Sequence, residues 1–222
     1  MTKHIAYLIP LILMLGACSE SNSPSQARTD ANSETSGKYS VGKHYVPVNE
    51  VLDKDPEQNL ITEFFWYECI PCEAVEPFLD NWQRNARPGL VFKQSPIAGD
   101  ERATFHAKLY YIAKDMPDFE KLHRRLFKEV IALKDEQDLG VQKKKLAKVF
   151  AEYGMSEENF FNQLSAFKVE AQVKKATRAM TASGLTQTPA IMVNNKYMIK
   201  NQNLSSPNEV INVAAFIFDE NK

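Results

Sequence analysis

The sequence predicts an α/β fold in which a wholly helical block interrupts a small α/β unit. Three observations predict it. A buried-strand pattern, "NLITEFFWYE" (59–68), runs directly into Cys69, Cys72 and a helical spacing. From Glu101 to about Gly154, and again over 156–184, the periodicity is helical throughout. After that block, "PAIMVNN" and "KYMIK" read as a hairpin, and 205–220 as a final helix.

A first strand is expected within "YSVGKHYVPV" (39–48), interrupted by Gly42 and Pro47. The second is 59–68, apolar and aromatic, bounded by Asp, Pro and Asn on its N-terminal side. A helix over 74–86 places Val75, Phe78, Leu79 and Trp82 on one face, with a kink expected at Pro77. "GLVFKQSPI" (89–97) is a third strand. Three amphipathic runs follow, beginning at Glu101, Asp118 and Gly140, the last closed by Gly154. Ser156 is an N-cap candidate for 156–184, read as one long helix or two, ended by Gly184. Asn194-Asn195 is the hairpin turn, where Asn tolerates positive φ. Pro207 suits the first turn of the last helix.

The chain has 222 residues, 44% of them hydrophobic, enough for one sizeable core, alone or carrying a subdomain. A net charge of −1 gives no global electrostatic case for nucleic-acid binding. The Lys143-Lys144-Lys145 run reads as a solvated helix face. Three cysteines are too few for a disulfide-stapled mini-protein.

Residues 1–17 read as a signal peptide: Lys3 and His4, an apolar run from Ile5 to Leu15, then Gly16-Ala17. The run is too short to span a bilayer stably. Leu15-Gly16-Ala17-Cys18 resembles the lipobox of bacterial lipoproteins, which implies cleavage before Cys18 and acylation of that residue. Several acyl chains hold a protein firmly where one binds only marginally. Ser19, rather than Asp, after the cysteine implies outer-membrane sorting by the same resemblance. Residues 18–38 then form the lipidated Cys and a polar tether. It has no apolar residue larger than Ala after Cys18, and a typical reach of roughly 25 Å.

Cys69 follows a strand and opens a helix, where free N–H groups and the positive end of the helix dipole stabilise a thiolate. Cys72, one turn on, lies within bridging distance and deeper. Such a pair can be a zinc clip, a copper site, a structural staple or a redox dithiol. Zinc needs more ligands, and His44, His106 and His123 show no ligand spacing. A copper module of this shape usually has a CxxxC, one residue longer. A staple closing so short a ring contributes little. The redox dithiol is the favoured reading, with no metal and no cofactor.

Thr188-Pro189, directly before a strand, resembles the cis-proline loop of the thioredoxin fold. The chain from Tyr39 onward resembles the DsbA family of periplasmic thiol-disulfide oxidoreductases. The resemblance rests on "EFFWYECIPC", the loop 95–99, the helical insertion, "YGMSEENF" (153–160) and "GLTQTPAIMVNNKYMI" (184–199). It implies a thioredoxin fold over 39–100 and 171–222, with a helical insertion over 101–170. It implies Cys69 as nucleophile and Cys72 as resolving cysteine. Pro189 then lies against the sulfurs, and Thr188 offers its backbone to a substrate peptide. Glu63 matches a buried acidic residue serving proton transfer, Glu76 a second acidic position, and Lys93 a basic partner on the adjacent strand. Independently, a carboxylate between Ile61, Phe64 and Phe65 should be desolvated, with a raised pKa.

The implied function is oxidation of cysteines in unfolded or reduced secreted proteins, with reoxidation by a membrane quinone-linked thiol oxidase. A monomer is expected, with Ile70, Pro71 and Thr188 forming an apolar collar for substrate. The rivals are a reductase or isomerase and, from another class, a copper carrier or peptide-binding chaperone. One departure matters: the family pattern is Cys-Pro-His-Cys, and here Ile70-Pro71 stands between the cysteines. Ile70 offers neither charge nor hydrogen bond, and Glu68 and Glu73 flank the pair. A less acidic Cys69 and a less oxidising disulfide are therefore expected.

Overall fold

The computed structural model describes residues 38–48, 59–85 and 88–220, which belong to the compact unit Gly37–Lys222. The expected signal peptide, Cys18 and all but the last residue of the expected tether lie outside the described residues. Among the described residues no helix is long and apolar enough to cross a membrane.

The strands are β1 (Tyr45–Pro47), β2 (Leu60–Phe65), β3 (Val91–Pro96), β4 (Ala190–Val193) and β5 (Tyr197–Ile199). They form one five-stranded sheet in the order β1-β5-β4-β2-β3. Among these strands β2 and β3 pair in parallel, and the other neighbours pair antiparallel. The helices are α1 (Ile70–Arg84), α2 (Glu101–Lys114), α3 (Phe119–Ala132), α4 (Leu139–Glu152), α5 (Glu157–Leu164), α6 (Phe167–Ser183) and α7 (Pro207–Glu220).

Every residue of β2 is buried, because helices cover both faces of the sheet. Alternation sends Ile61 to the core shared with α1 and α7, and Phe64 to the core against α6. Glu63 has the same parity as Ile61. The first strand is shorter than expected: Gly42 at φ 83° turns the chain, leaving only 45–47 in the ladder with β5. Pro77 lies inside α1, which continues to Arg84. The hairpin turn has Asn194 and Asn195 at φ 52° and 53°, and Lys196 N donates to Val193 O at 3.0 Å. Positive φ at both central residues gives the twist that antiparallel neighbours need.

The helical block caps itself with side chains, each accepting backbone N–H groups. Asp100 accepts from Ala103 N at 2.7 Å, Asp138 from Gly140 N at 2.7 Å, and Ser156 from Asn159 N at 3.2 Å. The 156–184 run forms two helices, α5 and α6, separated by extended backbone at Ala166. Helix α6 runs across residue 170, the expected end of the insertion, and packs on both α2 and β3. The core of the block, built on Leu109, Leu122, Leu126, Phe127 and Phe150, continues through Phe65 and Tyr67 to Cys69 and Cys72. The dithiol thus sits at the seam between the helical block and the sheet.

Candidate active site

Cys69 is the N-cap of α1, and its Sγ accepts the backbone N–H of Cys72 at 3.2 Å. Pro71, which has no N–H to satisfy, fills the first helical turn. Cys69 and Cys72 are joined in a disulfide with a Cα–Cα distance of 5.2 Å. On reduction, the same N–H and the helix end favour a thiolate at Cys69. Cys69 is 8% exposed and Cys72 0%, so an incoming thiolate reaches Cys69 first.

Helix α1 presents apolar side chains to solvent. Ile70 is 53% exposed and Phe78 40%, and Pro71 is exposed beside them. The Thr188–Pro189 peptide bond is cis, and Asn201 Nδ2 donates to Pro189 O at 2.9 Å. Pro189 also lines a groove of about 290 Å³ whose other walls are Val75, Phe78 and Leu79 of α1 and Val210 and Ile211 of α7. Glu68, expected to oppose thiolate formation, is paired with Arg102 at 3.3 Å, which offsets its charge. Among the described residues, no group of three or more His, Cys, Asp or Glu side chains is placed to hold a metal ion.

One turn along α1 from Cys72, Glu76 joins a buried polar cluster. Glu63 is 0% exposed and Glu76 4%. Parallel pairing sets Glu63 opposite Gln94, not opposite Lys93, which pairs with Thr62. The expected basic partner on β3 is therefore replaced by a neutral amide one residue on. Strand alternation is the reason: a shift of one residue reverses the face. Gln94 Nε2 donates to Glu63 Oε2 at 2.9 Å and to Glu76 Oε1 at 2.8 Å. Burial pushes the Glu63 carboxyl well up, the Glu76 charge adds to this, and the Gln94 hydrogen bond opposes it. Burial beside the Glu76 carboxyl therefore favours the protonated form of Glu63.

Two further members were not anticipated. His123 of α3 is buried at 3% exposure, with Nδ1 2.6 Å from the Tyr67 hydroxyl and Nε2 3.5 Å from Glu76 Oε1. Burial pushes the Tyr67 hydroxyl well up, so it stays protonated. The signal for His123 was its place in the apolar stripe of α3, among Phe119, Leu122, Leu126 and Phe127. A lone polar ring there must find a buried partner. No sequence signal distinguished Gln94 from its neighbours.

A strand leading into a helix-capping dithiol, paired with a strand that a cis-proline precedes, defines a thiol-disulfide oxidoreductase with a thioredoxin fold. The profile of the DSBA-like thioredoxin domain matches residues 60–209. The chain belongs to that family, and its Cys69–Cys72 pair fits the redox-active site. The thiol:disulfide interchange protein DsbA of Bordetella parapertussis is 31% identical over 159 residues, which are 70% of this chain and 73% of that protein. The DsbA of Azotobacter vinelandii is 24% identical over 211 residues, 95% of this chain and 97% of its own. The crystal structure of Pseudomonas aeruginosa DsbA shares the fold, with a TM-score of 0.71 at 23% identity over 82% of this chain and 94% of that one.

Proposed function

We infer that this protein oxidises cysteines of unfolded or reduced secreted and envelope proteins, and that it is a monomer on the periplasmic side of the envelope. Residues 1–17 are its signal peptide. Acylated Cys18 anchors it, in the outer membrane, through the tether ending at residue 38. The observation that carries the oxidoreductase cycle is the asymmetry of the pair: Cys69 caps α1 beside exposed Ile70, and Cys72 is fully buried. A substrate thiolate attacks Cys69, the Cys69–Cys72 bond breaks, and Cys72 leaves as a thiolate. A second substrate thiol then releases Cys69, leaving the substrate oxidised and the pair reduced. A membrane quinone-linked thiol oxidase restores the disulfide. Thr188 pairs its backbone with the substrate peptide next to Pro189. Ile70, Pro71 and Phe78 hold apolar side chains along the groove. Glu63, supported by Glu76 through Gln94, supplies the proton that Cys72 takes up.

A reductase is the second reading, and Ile70-Pro71 favours it: with no histidine between the cysteines, Cys69 is less acidic and the disulfide less oxidising. Equilibrating the full-length protein with glutathione redox buffers decides. A midpoint on the oxidising side of the glutathione couple supports the oxidase. A midpoint well to its reducing side makes the protein a reductase. Cys69→Ser should abolish exchange in either case.

A further inference from the structure

His123 is not used by the cycle above, yet its geometry is that of a transfer point. Its ring is packed by Phe65, Tyr67, Tyr110, Phe119 and Phe127. Its Nδ1 is engaged by Tyr67. Its Nε2 is buried and has no hydrogen-bond partner among the described residues, although Glu76 Oε1 lies 3.5 Å away. Two acceptor atoms at that separation repel, so the contact calls for a proton on one or the other. Nε2 itself is shielded from bulk solvent, but the His123 side chain borders a cleft. His123 and Glu76 line a cleft of about 180 Å³ between α1, β3, α2 and α3, large enough for water.

The other titratable groups facing this cleft are Asp80 on α1, Lys93 on β3, Tyr110 and Lys114 on α2, and Glu120 and Arg124 on α3. Asp80 and Arg124 pair with each other at 2.8 Å. Gln94 holds the two carboxyls in place through its amide, but an amide is a poor proton carrier. His123 is the titratable ring that both touches Glu76 and faces the cleft.

We propose that His123 is the proton port of the buried carboxyl pair, passing protons between the cleft and Glu76. When Cys72 leaves as a thiolate it takes the proton stored on Glu63 and Glu76, and both carboxyls are then ionised. The neutral ring, with Nδ1–H donating to the Tyr67 oxygen, binds a proton from cleft water at Nε2. The resulting imidazolium gives that proton to Glu76 and returns to neutral. One proton enters from solvent for each proton delivered to Cys72, and the ring is unchanged. Reoxidation of the dithiol runs the path in reverse. His123 acts through Glu76, so it is a positioning and relay residue rather than one that touches the reacting sulfurs.

This inference rests on the exchange chemistry of Cys69–Cys72, and the test separates the two. Oxidised full-length protein is reduced in single turnovers by excess dithiothreitol, with acid quench and thiol alkylation, over a range of pH. If wild type does not turn over, the oxidoreductase reading itself fails. If it does, a folded His123→Gln should slow the step by about 10²-fold. In His123→Ala, added imidazole should restore the rate in proportion to its concentration, with no effect on wild type. A folded His123→Gln that turns over at the wild-type rate overturns the port, as does a folded His123→Ala that imidazole fails to rescue. If neither variant folds, the wild-type proton inventory in mixtures of light and heavy water decides. A bowed inventory means several protons in flight and supports the relay; equal rates in both waters overturn it.

Discussion

His106 and His123 are both buried, on neighbouring helices of the helical block, and each is held by an aromatic residue just before Cys69. Trp66 Nε1 donates to His106 Nδ1 at 2.9 Å, and Tyr67 Oη lies 2.6 Å from His123 Nδ1. Their second nitrogens differ. His106 Nε2 meets Gln142 Oε1 at 3.3 Å, and Gln142 Nε2 donates onward to Glu136 O at 2.7 Å. That chain ends on a backbone carbonyl. Burial drives the His106 pKa down to about 4, so the ring is a neutral clamp tying the segment before the dithiol to α2 and α4. His123 has the same kind of anchor, but its second nitrogen lies beside a carboxylate and its side chain borders a cleft. A buried histidine is therefore structural or chemical according to what its second nitrogen meets.

The largest expected effect that would break this contrast is on stability. His106→Ala removes a buried ring and strands Trp66 Nε1 and Gln142 Oε1, and should cost about 4 kcal/mol. Urea unfolding measures it. The pH profile of exchange should keep its wild-type shape. A profile altered as in His123→Gln would mean that the two histidines are not distinct.

A somewhat smaller effect comes from linkage. His106 binds its proton in the unfolded chain near pH 6.5 but in the folded protein only near pH 4. Between those values the unfolded state holds more protons, so stability is lost as pH falls from 6.5 towards 4. The full difference is roughly 3 kcal/mol. Denaturation midpoints across that window should show the loss in wild type and lack this component in His106→Gln.

The smallest effect runs the other way. The folded-state pKa of Glu63 is raised, so its contribution to stability is present below the unfolded carboxyl pKa and lost as pH rises through the folded one. Glu63→Gln should therefore stabilise the protein at alkaline pH by about 1 kcal/mol, while exchange slows. An alkaline denaturation midpoint at or below that of wild type would show that this carboxyl is not held protonated.

Much of this was legible in the chain. The pattern of 59–68 placed Cys69 at the end of a buried strand, and the flanking apolar residues placed Glu63 in the interior. The Asn194-Asn195 hairpin and the caps at Ser156 and Gly184 were local chemistry and read directly. The partner of Glu63 was not legible, because a parallel register links residues about thirty positions apart and alternates between faces with every step. Lys93 looked suitable by charge, and Gln94 occupied the position. His123 stood in an apolar stripe whose sequence named no partner, because Tyr67 and Glu76 arrive from other elements.

The sequence by itself determined the local units: strand, dithiol, helix, the proline before β4, and the amphipathic helices. Each follows from periodicity, capping and turn preferences that act over a few residues. Tertiary structure alone decided that Glu63, Glu76, Gln94, His123 and Tyr67 share one buried site. Their meeting depends on strand register and on how α3 packs across α1. Burial then changes what they can do: the desolvated Glu63 carboxyl holds a proton that it would release in water.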